Sequence, residues 1–176
     1  VKASGVTAYL LRTGPLMGAR DGFLERFLAQ ARAGSPFLCV PGYGSTLVQP
    51  LHVDDFARCV ARVFLDKPQE LTPDAYSLAG PDTAAYLDLL DMALARVKRS
   101  KLKVHAPLFA LKLLAAISPV RAFKDRVALL YEAFCTDKND APRLLEPQEK
   151  LVSISRTFDE LVPAPAQSIG YRIGMS

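Results

Sequence analysis

Short apolar runs of strand-forming residues alternate along this chain with longer stretches in which apolar residues return every three or four positions. That alternation restricts the fold more than any other feature. Val6 to Leu11 reads as a buried strand, and Gly14, Pro15, Gly18 and Gly22 punctuate the loop after it. Phe23, Phe27, Leu28 and Ala31 share one face of a helix running from Phe23 to Ala33. Phe37 to Val40 and Thr46 to Val48 are two further short strands, separated by a turn at Pro41, Gly42 and Gly44. Phe56, Val60, Val63 and Phe64 stripe a second helix, with Asp54 as its N-cap and Asp55 at the positive end of its dipole. Ala75 to Leu78 is a fourth strand, stopped at Gly80-Pro81, and Thr83 caps a helix carrying Tyr86, Leu89, Leu90, Ala93, Leu94 and Val97. An extended piece from Lys103 to His105 precedes Pro107, which suits the first turn of an apolar helix ending at Ile117. Val127, Leu130, Tyr131 and Phe134 mark another helix, a short one is expected from Arg156 to Leu161, and the stretch from Pro163 on reads as loop. The order predicts an α/β layer architecture with parallel or mixed strands.

Composition narrows the functional classes. A chain of 176 residues, half of it apolar and 23% charged, can bury one proper core and is neither disordered nor fibrous. Cys39, Cys59 and Cys135 lie far apart without a C-x-x-C pair, as expected of buried thiols in a reducing compartment. His52 and His105 have no cysteine at ligand spacing, so no metal site is expected. The opening residues lack the apolar core of a signal peptide, and no apolar run approaches the ~20 residues that span a bilayer. The chain therefore reads as cytoplasmic, and its first residue, Val1, suggests truncation or processing.

Few motifs carry chemistry. Thr13-Gly14-Pro15-Leu16-Met17-Gly18 follows a strand and precedes a helix, like the start of a dinucleotide-binding loop, but Arg20 occupies the third glycine position and no acidic residue ends the next strand. A plain glycine-bearing turn is the better reading. No Tyr-x-x-x-Lys and no G-x-S-x-G appears, so no catalytic residue is assigned. His52 beside Asp54 and Asp55 reads as a histidine hydrogen-bonded at a sheet edge next to a capping aspartate, ahead of a His-Asp dyad. Lys98, Arg99, Lys101 and Lys103 form a basic run before an apolar helix. Residues 98–117 could meet an anionic membrane surface, or the charges could answer the negative end of a helix. With modest net charge and no interleaved aromatics, nucleic acid is not an expected partner.

In order, ASGVTAYLLRTGPLMG, QPLHVDDFARCV and YSLAGP resemble segments of the extended and atypical short-chain dehydrogenases. Within that family the chain looks most like the NAD(P)-binding group that includes a respiratory complex I accessory subunit and relatives of sugar-nucleotide epimerases and dehydratases. The resemblance implies the C-terminal part of a Rossmann-type fold with a small mixed α/β substrate domain over residues 1–145, and a degenerate tail over 146–176. The glycine-rich loop and the Tyr-x-x-x-Lys pair would lie upstream of Val1. By position, Thr13, Gly14, Pro15 and Leu16 would lie beside the nicotinamide of NAD or NADP. Thr13 stands where the family usually has proline. Met17, Arg20, Phe23, Gln49 and His52 would border the substrate, with Arg20 as the partner of an anionic group. The implied function is the substrate-binding portion of an epimerase, dehydratase or reductase, inactive by itself. Its expected partners are a small-molecule substrate, the upstream half and, through exposed sheet edge, a second copy. The alternative is a non-catalytic dinucleotide module docked on a membrane complex or a lipid-soluble partner.

Overall fold

The structure is a computed structural model that describes residues 9–66, 75–118, 135–146 and 148–162. The helix expected at Val127 to Phe134, the first residues of the strand expected from Val6 and the loop from Pro163 lie outside the described residues.

The chain runs through β1 (Leu10–Thr13), β2 (Leu16–Met17), α1 (Leu24–Arg32), β3 (Phe37–Pro41), β4 (Leu47–Val48), β5 (Leu51–His52) and α2 (Val53–Ala61). A π-helical turn, Arg62–Asp66, extends α2, and β6 (Ala75–Leu78), β7 (Ala84–Ala85), α3 (Tyr86–Arg96), β8 (Leu102–Ala106) and α4 (Leu108–Ile117) follow. Two short helices, α5 (Ala141–Leu144) and α6 (Ile154–Leu161), close the described chain. Strand pairing is mostly parallel: β1 with β6, β2 with β5 and β3 with β8, while β4 and β7 run antiparallel. Parallel neighbours need crossover connections, which is why helices stand between the paired strands.

Among the described residues, two apolar clusters fill the interior. The larger joins Leu24, Phe27, Leu28 and Ala31 of α1 with Leu89, Leu90, Ala93 and Leu94 of α3, over Leu38 and Val40 of β3. These are the helical stripes and the alternate strand positions that periodicity singles out. The smaller gathers Leu51, Cys59, Val63 and Leu78 with Ala141, Leu144 and Leu145.

Several boundaries differ from expectation for local reasons. The second helix begins at Val53, and its cap is His52 rather than Asp54: His52 Nδ1 accepts the Asp54 N–H at 3.3 Å. Asp54 points outward, with 80% of its side chain exposed. Thr83 does not cap α3, because β7 intervenes and pairs with β4 before the helix starts. The Ala85 N–H is taken instead by Asp88 Oδ2 at 3.1 Å. The last helix starts at Ile154 with Ser153 as cap, and Ile154, Thr157 and Phe158 are buried in the larger core. The helix α6 thus packs on the larger core through Ile154 and Phe158.

The basic run also has a defined place. Arg99 Nη1 donates to the carbonyls of Arg32 (2.6 Å) and Ala33 (3.2 Å), and Lys101 Nζ to those of Gln30 and Ala33 (both 2.7 Å). Both side chains close the carbonyl end of α1, a helix distant in sequence from the one they follow. Lys103 pairs with Asp91 at 2.6 Å. The next helix, α4, leaves Phe109, Leu113, Leu114 and Ile117 exposed, and no helix among the described residues is long and apolar enough to cross a membrane. Its start is fixed by Gly42, where a Cβ would stand 2.9 Å from Leu108 Cγ and the backbone has φ +56°.

Candidate functional site

Two cavities meet at the turn after β1. The larger, about 840 Å³, lies between the Thr13 to Leu16 turn, the first two turns of α1, β4 and the start of α3. The smaller, about 240 Å³, lies on the other side of the same turn, against the end of β6 and residues 135–136. Thr13 and Gly14 line both.

The wall of the larger cavity is built by one helix face. Phe23 and Phe27, four residues apart, stack edge to face at 5.5 Å, and Phe27 meets Tyr86 at 4.9 Å. Val48, Pro15 and Leu16 continue the apolar surface. Gln30 Nε2 reaches the Tyr86 hydroxyl at 3.5 Å, and the Arg26 guanidinium lies over the Phe23 ring at 5.9 Å.

Asp21 shapes the mouth. Its Oδ1 accepts the N–H of Phe23 at 2.8 Å and of Glu25 at 3.4 Å, and its Oδ2 those of Gly18 at 3.0 Å and Leu24 at 3.3 Å. A carboxylate thus fills the anion-binding position that a helix N-terminus offers.

The residues predicted from sequence divide into two groups. Thr13, Gly14, Pro15, Leu16 and Phe23 line the larger cavity, and Gln49 lines the smaller. Gln49 is held at both ends, donating from Nε2 to Gly80 O at 2.9 Å and accepting the Thr136 N–H at 3.3 Å. The other three lie apart from both cavities. Met17 is fully buried in the larger core, where Thr157 Oγ1 lies 3.5 Å from its sulfur. His52, its register partner, is buried with it, and its Nε2 faces Glu160 Oε2 at 3.7 Å without a hydrogen bond. In a strand, successive side chains alternate faces, so Leu16 and Met17 cannot both meet the same ligand. Arg20 has a left-handed backbone, φ 62°, and an exposed side chain outside the cavity lining. Its N–H donates to Glu25 Oε1 at 3.1 Å.

Sequence reasoning passed over Asp21, Arg26, Thr46, Val48 and Tyr86 as site residues. Asp21 had a readable signal, an aspartate just ahead of an apolar-periodic stretch. The others come together only through the packing of α1 on α3 and the pairing of β4 with β7.

The arrangement can bind and orient better than it can transfer protons. Both Asp21 oxygens are committed to backbone amides. Burial, and secondarily the charge of Asp137, raises the thiol pKa of Cys135 in the smaller cavity, which keeps it protonated at neutral pH. Among the described residues, no group of metal-ligating side chains converges.

No protein-family model matches the chain, and no curated protein sequence matches it. Solved structures do. A nucleoside-diphosphate-sugar epimerase from Staphylococcus aureus superposes with a TM-score of 0.64 at 14% identity, over 89% of this chain and 53% of its own. A UDP-glucuronic acid 4-epimerase variant from Bacillus cereus, in complex with NAD and a fluorinated UDP-sugar, gives 0.63 at 18% identity, over 90% of this chain and 45% of its own. The NAD complex of dTDP-glucose 4,6-dehydratase from Bacillus anthracis gives 0.62 at 12%, over 92% and 45%. This chain therefore spans about half the length of these structures, and over that half it has the Rossmann-type α/β fold that they share.

Proposed function

We propose that the chain is the substrate-binding portion of an NAD(P)-dependent epimerase, dehydratase or reductase. The observation that carries this reading is that Thr13 and Gly14 line both cavities. Hydride transfer needs cofactor and substrate in contact at one point, held in a fixed orientation. The Thr13–Leu16 turn would place the nicotinamide of NAD or NADP at the smaller, more polar cavity, among Ser77, Gln49 and Thr136. The substrate would occupy the larger one, against Phe23, Phe27 and Tyr86. Proton-transfer groups would come from an upstream half, and the chain by itself would then be inactive. The likeness in fold to NAD complexes supports the cofactor class.

The test is a titration of the intact protein with NADH and with NADPH, followed by nicotinamide fluorescence. Saturable binding of either, lost on Thr13→Trp at the exposed wall of both cavities, is the expected result. Absence of binding by both nucleotides would sink the reading.

A second reading, a non-catalytic dinucleotide module docked on a membrane complex, is favoured by the exposed Phe109, Leu113 and Ile117 of α4. It draws less from the basic run, since Arg99, Lys101 and Lys103 are bonded within the fold. Sedimentation with anionic liposomes at low salt, abolished by Phe109→Ser with Leu113→Ser, would favour it.

A further inference from the structure

Resting on the catalytic reading above, we infer that the large cavity takes a substrate with an aromatic or aliphatic body and at most one negative charge, and not a nucleoside diphosphate. A diphosphate brings about two charges and many acceptor oxygens, which proteins meet with helix N-termini and several guanidinium or ammonium groups. Here the N-terminus of α1 faces the cavity mouth, but its amides are already bound by Asp21. A second anion at that place would lose those donors and meet a carboxylate. Among the described residues the remaining wall offers a single cation, Arg26, and that guanidinium sits at the exposed rim over the Phe23 ring. Arg20 lies outside the lining.

What the wall does offer is a row of rings. Phe23, Phe27 and Tyr86 form an edge-and-tilt series with centroid spacings of 5.5 and 4.9 Å, continued by Leu16 and Val48. Flat or branched apolar groups bury area against such a surface, and among the described residues few polar side chains stand beside it to take a sugar's hydroxyls. Thr46, Gln30 and the Tyr86 hydroxyl supply the few polar contacts that orient a mostly apolar ligand. A volume of about 840 Å³ leaves room for two fused rings and a polar head beside them.

The experiment uses 1-anilinonaphthalene-8-sulfonate, an aromatic body with one negative charge, and UDP-glucose as the diphosphate, each titrated into the intact protein. Ala29 is exposed and lies on the cavity wall, so Ala29→Glu narrows the space and adds a like charge without touching either core. Phe109→Ser with Leu113→Ser removes exposed apolar surface of α4, as a control for probe bound there. The expected result is saturable probe binding that weakens about tenfold in Ala29→Glu, survives the α4 double variant, and is not displaced by UDP-glucose. Thermal unfolding of each variant, followed by circular dichroism, verifies that it is folded. Displacement of the probe by UDP-glucose, or probe binding indifferent to Ala29→Glu, would overturn the inference. NADH binding, measured on the same samples, separates the two readings. A protein that binds NADH but prefers UDP-glucose sinks the substrate class and leaves the catalytic reading standing. Probe binding in the cavity without NADH binding upholds the apolar ligand class and sinks the catalytic reading.

Discussion

Around α1 and α3 the interior is filled by side chains that helical periodicity brings to one face. Around β1, β6 and α2 the apolar residues are fewer, and buried carboxylates hold segments far apart in sequence. Asp55 is fully buried: its Oδ2 accepts the Val152 N–H at 2.7 Å and its Oδ1 pairs with Arg58, which reaches Glu149 at 3.1 Å. Asp140 does the same work on β6. Its Oδ2 accepts the Ser77 N–H at 3.0 Å while its own N–H donates to Ser77 O at 2.8 Å, and Asn139 exchanges two hydrogen bonds with Ala79. Residues 139–140 thus serve the outer edge of β6 as a further strand would. No described strand pairs with the outer edge of β1, and Leu10 on it is half exposed. One core is closed by shape and the other by polar ties, with its open edge at the strand that leads into the site.

The sharpest way to break that contrast is to injure each core by its own kind of interaction. Phe158 is fully buried in the larger core on α6, which packs against α3, so Phe158→Ala should cost about 4 kcal/mol and lower the urea midpoint of the whole chain. A cost below that of a surface substitution would mean that α6 is dispensable. Asp55→Ala should cost somewhat less, about 3 kcal/mol. It strands the Val152 amide, while Arg58, partly exposed, keeps Glu149. Amide exchange tells where: Val152 should exchange faster with the α1 amides unchanged, and uniform acceleration would show that the two cores do not open separately. Asp140→Ala should cost about 2 kcal/mol, freeing the Ser77 amide while Ala79, held by Asn139, keeps its protection. Equal loss at Ser77 and Ala79 would mean that the two side chains act as one clamp.

The contrast also explains what the sequence could and could not reveal. Phe27, Leu28, Leu89, Leu90 and Leu94 announce themselves by spacing, and the strands at Phe37 and Ala75 by apolar runs between turns. Those signals are local. Asp55 was legible as an acidic residue in a first helical turn, but its partners, Arg58 apart, stand nearly a hundred residues away. Asn139 and Asp140 sit in a stretch with no periodicity at all. At the site, the Thr13–Leu16 turn and Phe23, expected beside cofactor and substrate, line the larger cavity, whereas Met17 and His52 are drawn inward because α6 covers them. Gly80 marks a close approach that no local rule predicts: a Cβ there would stand 2.0 Å from the Pro50 carbonyl oxygen, so β5 and the end of β6 can meet only at a glycine.

The smallest expected effect lies in pH, and it falls on one core alone. Cys59 is buried in the smaller cluster, where loss of solvation, and then the charge of Asp55, push its thiol up to about 11 from an ordinary 9.0. A raised folded value means that the fold favours the neutral thiol. Its contribution is whole below the unfolded pKa, near 9, and is lost as pH rises through about 11. The larger core contains no cysteine. Urea unfolding at about pH 8 and about pH 10 should therefore show a loss in the parent chain that Cys59→Val reduces, with the amides of α1 and α3 unaffected beyond the global shift. At neutral pH, exposed Cys39 and Cys135 should react with a thiol reagent while Cys59 waits for opening of the smaller core. Should Cys59→Val lose as much stability at the higher pH as the parent, the dependence would belong to other groups. If Cys59 reacts as fast as Cys135, the smaller core opens freely in the native chain, and polar ties would then hold a region that apolar burial does not keep shut.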